Sequence, residues 1–395
     1  MQGLSLRTLS STGLAVEVVE RKGIGHPDTI CDALAENFSR ALSRYYLENF
    51  GRVLHHNVDK ALLVGGRASP VFGGGAVDEP IDIYLTGRAV SAVKGDQIPV
   101  AELARESAEQ WLSHNLRGLD PKRHVRIHPL VRGGSSELVD LFARGQDDVP
   151  LCNDTSIGVG YAPLSDLERL VRSLQQELWA SVDYDPAWGE DVKIMGWRQG
   201  GNVHLTVACA MVSAHVADLE AYLSKKTKLA GLVEDIARNR GLVSTTIAVN
   251  AADSPETCDI YMTVTGTSAE GGDDGQVGRG NRINGLITPC HPMSLEASAG
   301  KNPVSHIGKL YNVTAGGIAG ALVEELENVR YAECILVGQI GSPVTEPAMI
   351  DIRCMVEDES LLKDDRSKIA EIVRRKLADT PNLIDGFLRG DINVF

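Results

Sequence analysis

Between Gly266 and Asn312 the chain collects Asp273, Asp274, Arg279, Arg282, Lys301 and Lys309 among many glycines. Glycine lets backbone N–H groups approach an anion, and Arg and Lys bind phosphate oxygens. Carboxylates in the same stretch would repel a bare polyphosphate. They fit if they hold a metal ion or a substrate ammonium group. A solvated surface loop with ordinary turn glycines is the alternative. Three shorter places add charge of the same kind. His26-Pro-Asp28 stands at the start of a helical pattern, where Asp28 suits either a helix N-terminus or a metal. Asp154 lies in a Gly-punctuated stretch, where a turn-forming Asx role is the alternative. Asp191 and Lys193 are two apart in a strand pattern and so share one face.

These residues need elements to position them. Apolar residues at Ile30, Leu34, Phe38, Leu42 and Tyr45 predict a helix over about 28–48. Strands are predicted near 14–19, 53–64, 81–87, 125–127, 192–195, 203–212, 244–249, 259–265, 333–338 and 349–355. Helices are predicted near 100–116, 165–180, 217–240, 313–328 and 365–378, the second opened by the capping box Ser165-x-x-Glu168. Adjacent His55 and His56 would face opposite sides of a strand, which makes them a poor chelating pair. Strands and helices follow one another in mixed order, which implies α+β. No sequence repeat is visible.

Composition narrows the function. With 395 residues the chain has room for two or three cores. A net charge of −14 argues against nucleic acid and anionic membrane as partners, and aromatic residues are too few for a base-stacking platform. Seven cysteines without a C-x-x-C pair suit a reducing, cytoplasmic setting rather than a zinc or disulfide framework. No secretory signal and no membrane span are expected from the apolar runs. The P-loop pattern fails at Gly300-Lys301, because Leu295 and Asn302 occupy its first and last positions. The dinucleotide pattern fails at Gly278-x-Gly280, where Ile283 replaces the third glycine. A nucleotide, if bound, is bound by a different fold.

Four motifs together resemble archaeal-type methionine adenosyltransferases: Gly23-Ile-Gly-His-Pro-Asp28, the stretch Asn153 to Pro163, the stretch Gly272 to Gly285, and Ala299-Gly-Lys-Asn-Pro303. The resemblance covers nearly the whole chain. It implies three similar α+β domains around a pseudo-threefold axis, with mixed sheets and helices on one face. The expected segments are 1–21 with 164–262, 22–120 with 263–311, and 121–163 with 312–395. It also implies a homodimer, in some members a dimer of dimers, with active sites between subunits. The implied reaction makes S-adenosylmethionine from ATP and L-methionine, with Mg²⁺ and in many members K⁺. The alternatives are a relative acting on a methionine analogue and a non-catalytic nucleotide-binding subunit.

Carried over residue by residue, the resemblance gives His26, Arg279 and Lys301 to the triphosphate and Asp28 to the metal. Asp154 and Asp273 fall at positions for the methionine ammonium end, and Asp191 and Lys193 at a substrate-contacting pair. Charge and location add Arg282 and Lys309 as phosphate contacts. The chain departs from the family pattern at His291, where Arg is usual, and at Ser305, where Asn is usual. The second metal-binding Asp of the bacterial and eukaryotic branch has no clear counterpart near Lys301. The acidic K⁺ ligand of that branch likewise has none near Asn57.

Overall fold

The computed structural model describes residues 3–9, 14–134, 149–242, 244–358 and 365–395. The chain opens with β1 (Leu4–Thr8), β2 (Val16–Lys22), α1 (Pro27–Phe50) and β3 (His56–Val64). A small ribbon follows, β4 (Arg67–Val71) with β5 (Gly74–Glu79), then β6 (Ile81–Ala89) and the short pair β7 (Ala92–Val93) and β8 (Asp96–Gln97). Next come α2 (Val100–Asn115), the single turn α3 (Pro121–His124), β9 (Val125–Arg132) and β10 (Ile157–Ala162). The middle of the chain forms α4 (Asp166–Ala180), β11 (Trp188–Gln199), β12 (Asn202–Val212), α5 (Leu219–Asn239), β13 (Thr245–Val249), β14 (Met262–Thr263) and β15 (Gly275–Gln276). The last elements are α6 (Ile307–Glu325), β16 (Val329–Val337), β17 (Met349–Val356), α7 (Arg366–Ala378) and α8 (Thr380–Arg389).

Three sheets organise these elements, and all three share one wiring. A helix leads into an antiparallel hairpin, and a second helix leads to a strand lying parallel to the hairpin's second strand. A fourth strand from elsewhere pairs antiparallel with the hairpin's first strand. The first unit uses α1, β3, β6, α2 and β9, with β15 as the fourth strand. The second uses α4, β11, β12, α5 and β13, with β2. The third uses α6, β16, β17 and α7, takes β1 from the start of the chain as its parallel strand, and adds β10. Three hydrophobic clusters match, one per unit, centred on residues such as Leu34, Leu170 and Ile318. Each fully buried Leu of this kind contributes about 1.5–3 kcal/mol. The fold is α+β, and its repeat lies in topology rather than in sequence.

The expected segment boundaries need two corrections. Residues 1–21 divide between sheets, because β1 pairs with β17 while β2 pairs with β11. Residues 121–163 divide as well, because β9 extends the β6 edge while β10 joins β16. The strand expected over 259–265 shrinks to Met262–Thr263, because side-chain carboxylates take its donors. Asp253 accepts from Tyr261 N, and Glu270 accepts from Val264 N and Thr265 N. After α7 the chain breaks at Asp379, with Pro381 in the first turn, and forms α8, which periodicity did not reveal.

Candidate active site

The long glycine-rich stretch is ordered by a row of acids on α1. Asp28, Asp32 and Glu36 are four apart, so they stack along one helix face. Asp28 Oδ1 accepts from Gln276 N (2.9 Å), Asp32 Oδ1 from Gly278 N (2.8 Å) and Glu36 Oε2 from Gly300 N (3.0 Å). Asn281 exchanges two hydrogen bonds with the backbone of Lys22, and Thr267 donates to Gly25 O. Gly275 has no room for a side chain, since a Cβ there would lie 2.3 Å from Pro27 O. The row also stores an acid. Burial raises the pKa of Asp32 to about 7 against the pull of Gly278 N–H and Arg282, and its Oδ2 has no partner.

The predicted site residues then fall into two groups, each beside a histidine that caps a helix. The first is built on His26. Its Nδ1 accepts from Asp28 N (3.2 Å), so the neutral ring carries its proton on Nε2. Burial lowers its pKa, opposed by Asp191 and Asp28 and aided by Lys22 and Lys193. Asp28 Oδ2 holds the Lys22 ammonium at 2.9 Å. Asp191 is buried and accepts from Ser268 N (2.9 Å) and Ser268 Oγ (2.6 Å), while Lys193 reaches Glu20 at 3.4 Å. Asp273 belongs here too: burial raises the pKa of the Tyr261 phenol, and Asp191 and Asp273 add to the rise. The Arg279 side chain is exposed, and its carbonyl accepts from Lys22 Nζ (2.7 Å).

The second group surrounds Lys301. Its ammonium contacts Asp59 Oδ2 (2.6 Å) and Glu296 Oε1 (2.9 Å), and these carboxylates raise its pKa although burial alone would lower it. Burial would raise the pKa of Asp59, yet Lys301 and Lys60 bring it down to about 2. His306 caps α6 by accepting from Gly308 N at Nδ1 (3.1 Å), which leaves Nε2–H towards Asp154 Oδ2 (3.8 Å). Burial and then Lys301 push its pKa down to about 3. A cleft of about 910 Å³ opens here, lined by Asp59, Lys60, Arg88, Arg132, Asp154 and His306. Asp154 approaches His306, whereas Asp273 and Asp191 both act on the Tyr261 phenol. Asp154 and Asp273, expected at one end of the same substrate, therefore stand in different groups.

This geometry gives three of the residues singled out in the sequence partners inside the fold. Lys309 is fully enclosed, with Glu36 oxygens at 2.6 and 2.8 Å, so its charge is answered inside the fold. Arg282 donates to the carbonyls of Gly278 (2.6 Å), Gly280 (2.8 Å) and Ser294 (3.3 Å), which makes it a loop brace. His291 stacks on Tyr161 at 4.6 Å and meets the Tyr331 hydroxyl at 3.0 Å, in neither histidine group. At this departure from Arg, the ring packs between two tyrosines. Sequence reasoning missed Lys22, Asp59, Glu296 and His306. His306 was missed because the helix begins at Ile307, six residues before the expected start near 313, which hid the cap. Asp59 and Glu296 carried no local signal, since their meeting with Lys301 depends on tertiary contacts.

A divalent cation suits the first group. Asp28 is the carboxylate beside His26 and a hard oxygen ligand; its Oδ2 already faces a cation, the Lys22 ammonium, whose place a divalent ion would take, while Oδ1 stays on Gln276 N. Among the described residues, Glu17, Glu168 and His291 also lie close enough to share an ion. Their atoms are already engaged: Glu17 by Ser165 and Arg198, Glu168 by Tyr161 and Ser165 N.

Comparison with known proteins agrees with this architecture. The pattern of the S-adenosylmethionine synthetase (AdoMet synthetase) family matches residues 5–391. A probable S-adenosylmethionine synthase of Aquifex aeolicus is 53% identical over 382 residues, covering 96% of this chain and 95% of that protein. The S-adenosylmethionine synthase of Aeropyrum pernix is 47% identical over 97% of this chain and 96% of its own. An S-adenosylmethionine synthetase from Campylobacter jejuni shares the fold at TM-score 0.62 and 16% identity, over 96% of this chain and 93% of that one. Matched from end to end, on the same α+β frame, the chain belongs to the S-adenosylmethionine synthetase family.

Proposed function

We propose that the chain is a methionine adenosyltransferase. A lone pair of the methionine sulfur forms a bond to C5′ of ATP, and the C5′–O bond breaks with its electrons leaving on the triphosphate. Water then attacks the triphosphate, and a P–O–P bond breaks to leave pyrophosphate and phosphate. No proton leaves the sulfur, so the step asks for positioning and charge stabilisation rather than a base. The observation that carries this reading is the His26 cap. Its Nδ1 is occupied by Asp28 N, so a neutral ring presents Nε2–H as a fixed donor, with Lys22 and Lys193 close by. That is a donor set for an anion that develops as a bond breaks.

Mg²⁺ is the divalent ion of this reading, on Asp28, where it would spread the charge of the phosphates. K⁺ is left to the assay below, because the acidic K⁺ ligand of the bacterial and eukaryotic branch has no counterpart near Asn57. Lys301 and Arg279 serve the phosphates, Asp154 and Asp273 the methionine end, and Asp191 holds the Ser268 turn beside His26. The separation of the two histidine groups within one chain supports a homodimer, in which the His26 group of one copy meets the Lys301 group of another. All seven cysteines are free thiols, in keeping with a cytoplasmic enzyme. No helix among the described residues is long and apolar enough to cross a membrane.

The test is a mass-spectrometric assay with ATP, Mg²⁺ and L-methionine, with and without K⁺. Formation of S-adenosylmethionine with equal amounts of pyrophosphate and phosphate is expected. ATP bound without any sulfonium product would overturn the reading.

A further inference from the structure

The chain carries 53 acidic against 39 basic residues, yet one cleft is lined by four arginines. Arg21, Arg169, Arg172 and Arg240 border about 490 Å³ of space, with Ile283 and Phe395 in the same wall. Arg169 and Arg172 are three apart on α4 and share a helix face. Arg21 rises to meet them from β2. It lies across from Ile194, which is fully buried, whereas its neighbour Lys22 lies across from Lys193. Alternation along the strand therefore turns Arg21 away from the His26 group.

Two of the four charges are answered. Arg169 pairs with Asp166 and Arg240 with Glu177. Arg21 and Arg172 have no salt-bridge partner among the described residues. The two unanswered charges face one another: after burial, Arg172 is the cause that lowers the pKa of Arg21. Arg21 Nη1 donates to Gly285 O, but its Nε is buried with no partner. Like charges side by side and a buried donor left unmade both cost stability, and both are relieved by a doubly charged oxyanion. Planar guanidiniums match phosphate oxygens two at a time.

We propose that this cleft binds a phosphate dianion, free or as the terminal group of a nucleotide, on Arg21 and Arg172, at a site apart from both histidine groups. Binding there would brace the Arg282–Gly285 turn from behind, through Arg21 and the Gly285 carbonyl.

The experiment is calorimetric titration of the full chain with sodium phosphate at constant ionic strength, for the wild type, Arg172→Gln, Arg172→Lys and Lys301→Ala. Arg172 is exposed, so its replacement leaves the fold intact. One class of phosphate sites should weaken at least tenfold in Arg172→Gln, recover in part in Arg172→Lys and persist in Lys301→Ala. Phosphate binding that is unchanged within twofold in Arg172→Gln, or that disappears in Lys301→Ala alone, overturns the proposal. A parallel titration with AMP distinguishes the sources. Tenfold tighter binding of AMP than of phosphate, lost in Arg172→Gln, assigns the site to a nucleotide; equal binding assigns it to the free anion.

Discussion

His26 and His306 occupy the same place in two of the three repeated units, at the N-cap of the first helix, where the second unit has Ser165. Both accept the N–H two residues on at nearly the same distance, 3.2 and 3.1 Å. Their surroundings differ. His26 sits between carboxylates and ammonium groups of opposing effect, and its side chain is 16% exposed. His306 is 4% exposed, and of the four charges that bear on it three are lysines, Lys301, Lys309 and Lys60, against Asp59. One capping geometry thus yields two neutral rings, one among charges of both signs and one nearly enclosed at the edge of the cleft of about 910 Å³. The environment, not the cap, decides which histidine can do chemistry.

The cations beside His306 are the first place to test that contrast. Lys309 is enclosed with Glu36, so Lys309→Ala leaves a buried carboxylate with only the Gly300 N–H. Breaking such a pair costs about 3–5 kcal/mol. A fall of that size in urea-unfolding stability is expected, and the double change Lys309→Met with Glu36→Leu should recover much of it. A stable Lys309→Ala chain with impaired phosphate binding would restore Lys309 to the site. The next effect is on turnover. Asn keeps a capping oxygen but lacks the imidazole Nε2–H. His26→Asn should therefore lower turnover by about 10²–10³, the usual loss for one preorganised donor, with little change in melting temperature. His306→Asn should cost less than tenfold. Equal losses would erase the distinction between the two caps.

The acid row on α1 gives a pH signature, third in size. Asp32 has its pKa raised by burial to about 7, against 3.8 without the fold. Between those values the folded chain keeps a proton that the unfolded chain has lost. The stability from this group is therefore complete below about pH 4 and lost as pH rises to about 7, a change on the order of 2–4 kcal/mol. Asp32→Asn cannot lose a proton. Its stability relative to wild type should rise between pH 5 and pH 8, read from melting temperatures at both. A difference that stays flat across that range would show Asp32 to be ionised in the fold.

Much of this was legible in the sequence, and the part that was not has a common cause. The helix at His26-Pro-Asp28 and the capping box at Ser165 follow from local residue types. The threefold wiring does not, because it is carried by strand pairings between segments far apart, such as β1 with β17 and β15 with β3. The fates of the lysines divide in the same way. The motif around Lys301 marks it apart from Lys309, but does not show the partner that each one meets across the fold. Lys301 meets Asp59 from β3 and borders a cleft-lining group, while Lys309 meets Glu36 from α1 and is sealed in. A charge in a glycine-rich loop invites a ligand reading, and only the partner across the fold decides it.

His291 carries the smallest effect and the sharpest check on that lesson. As a departure from the family's Arg it invited a functional reading, yet it lies between Tyr161 and Tyr331, with Glu168 at 3.7 Å from Nε2. Phe at this position keeps the stacked ring and loses the contact with the Tyr331 hydroxyl. That hydroxyl still donates to Glu333 at 3.2 Å, so no buried donor is orphaned. His291→Phe should therefore cost only about 0.5–1.5 kcal/mol, the net worth of one hydrogen bond, and leave turnover within twofold. A tenfold loss of turnover at unchanged stability would mean that the ring acts on the substrate. The separation of packing histidine from capping histidine would then have to be redrawn.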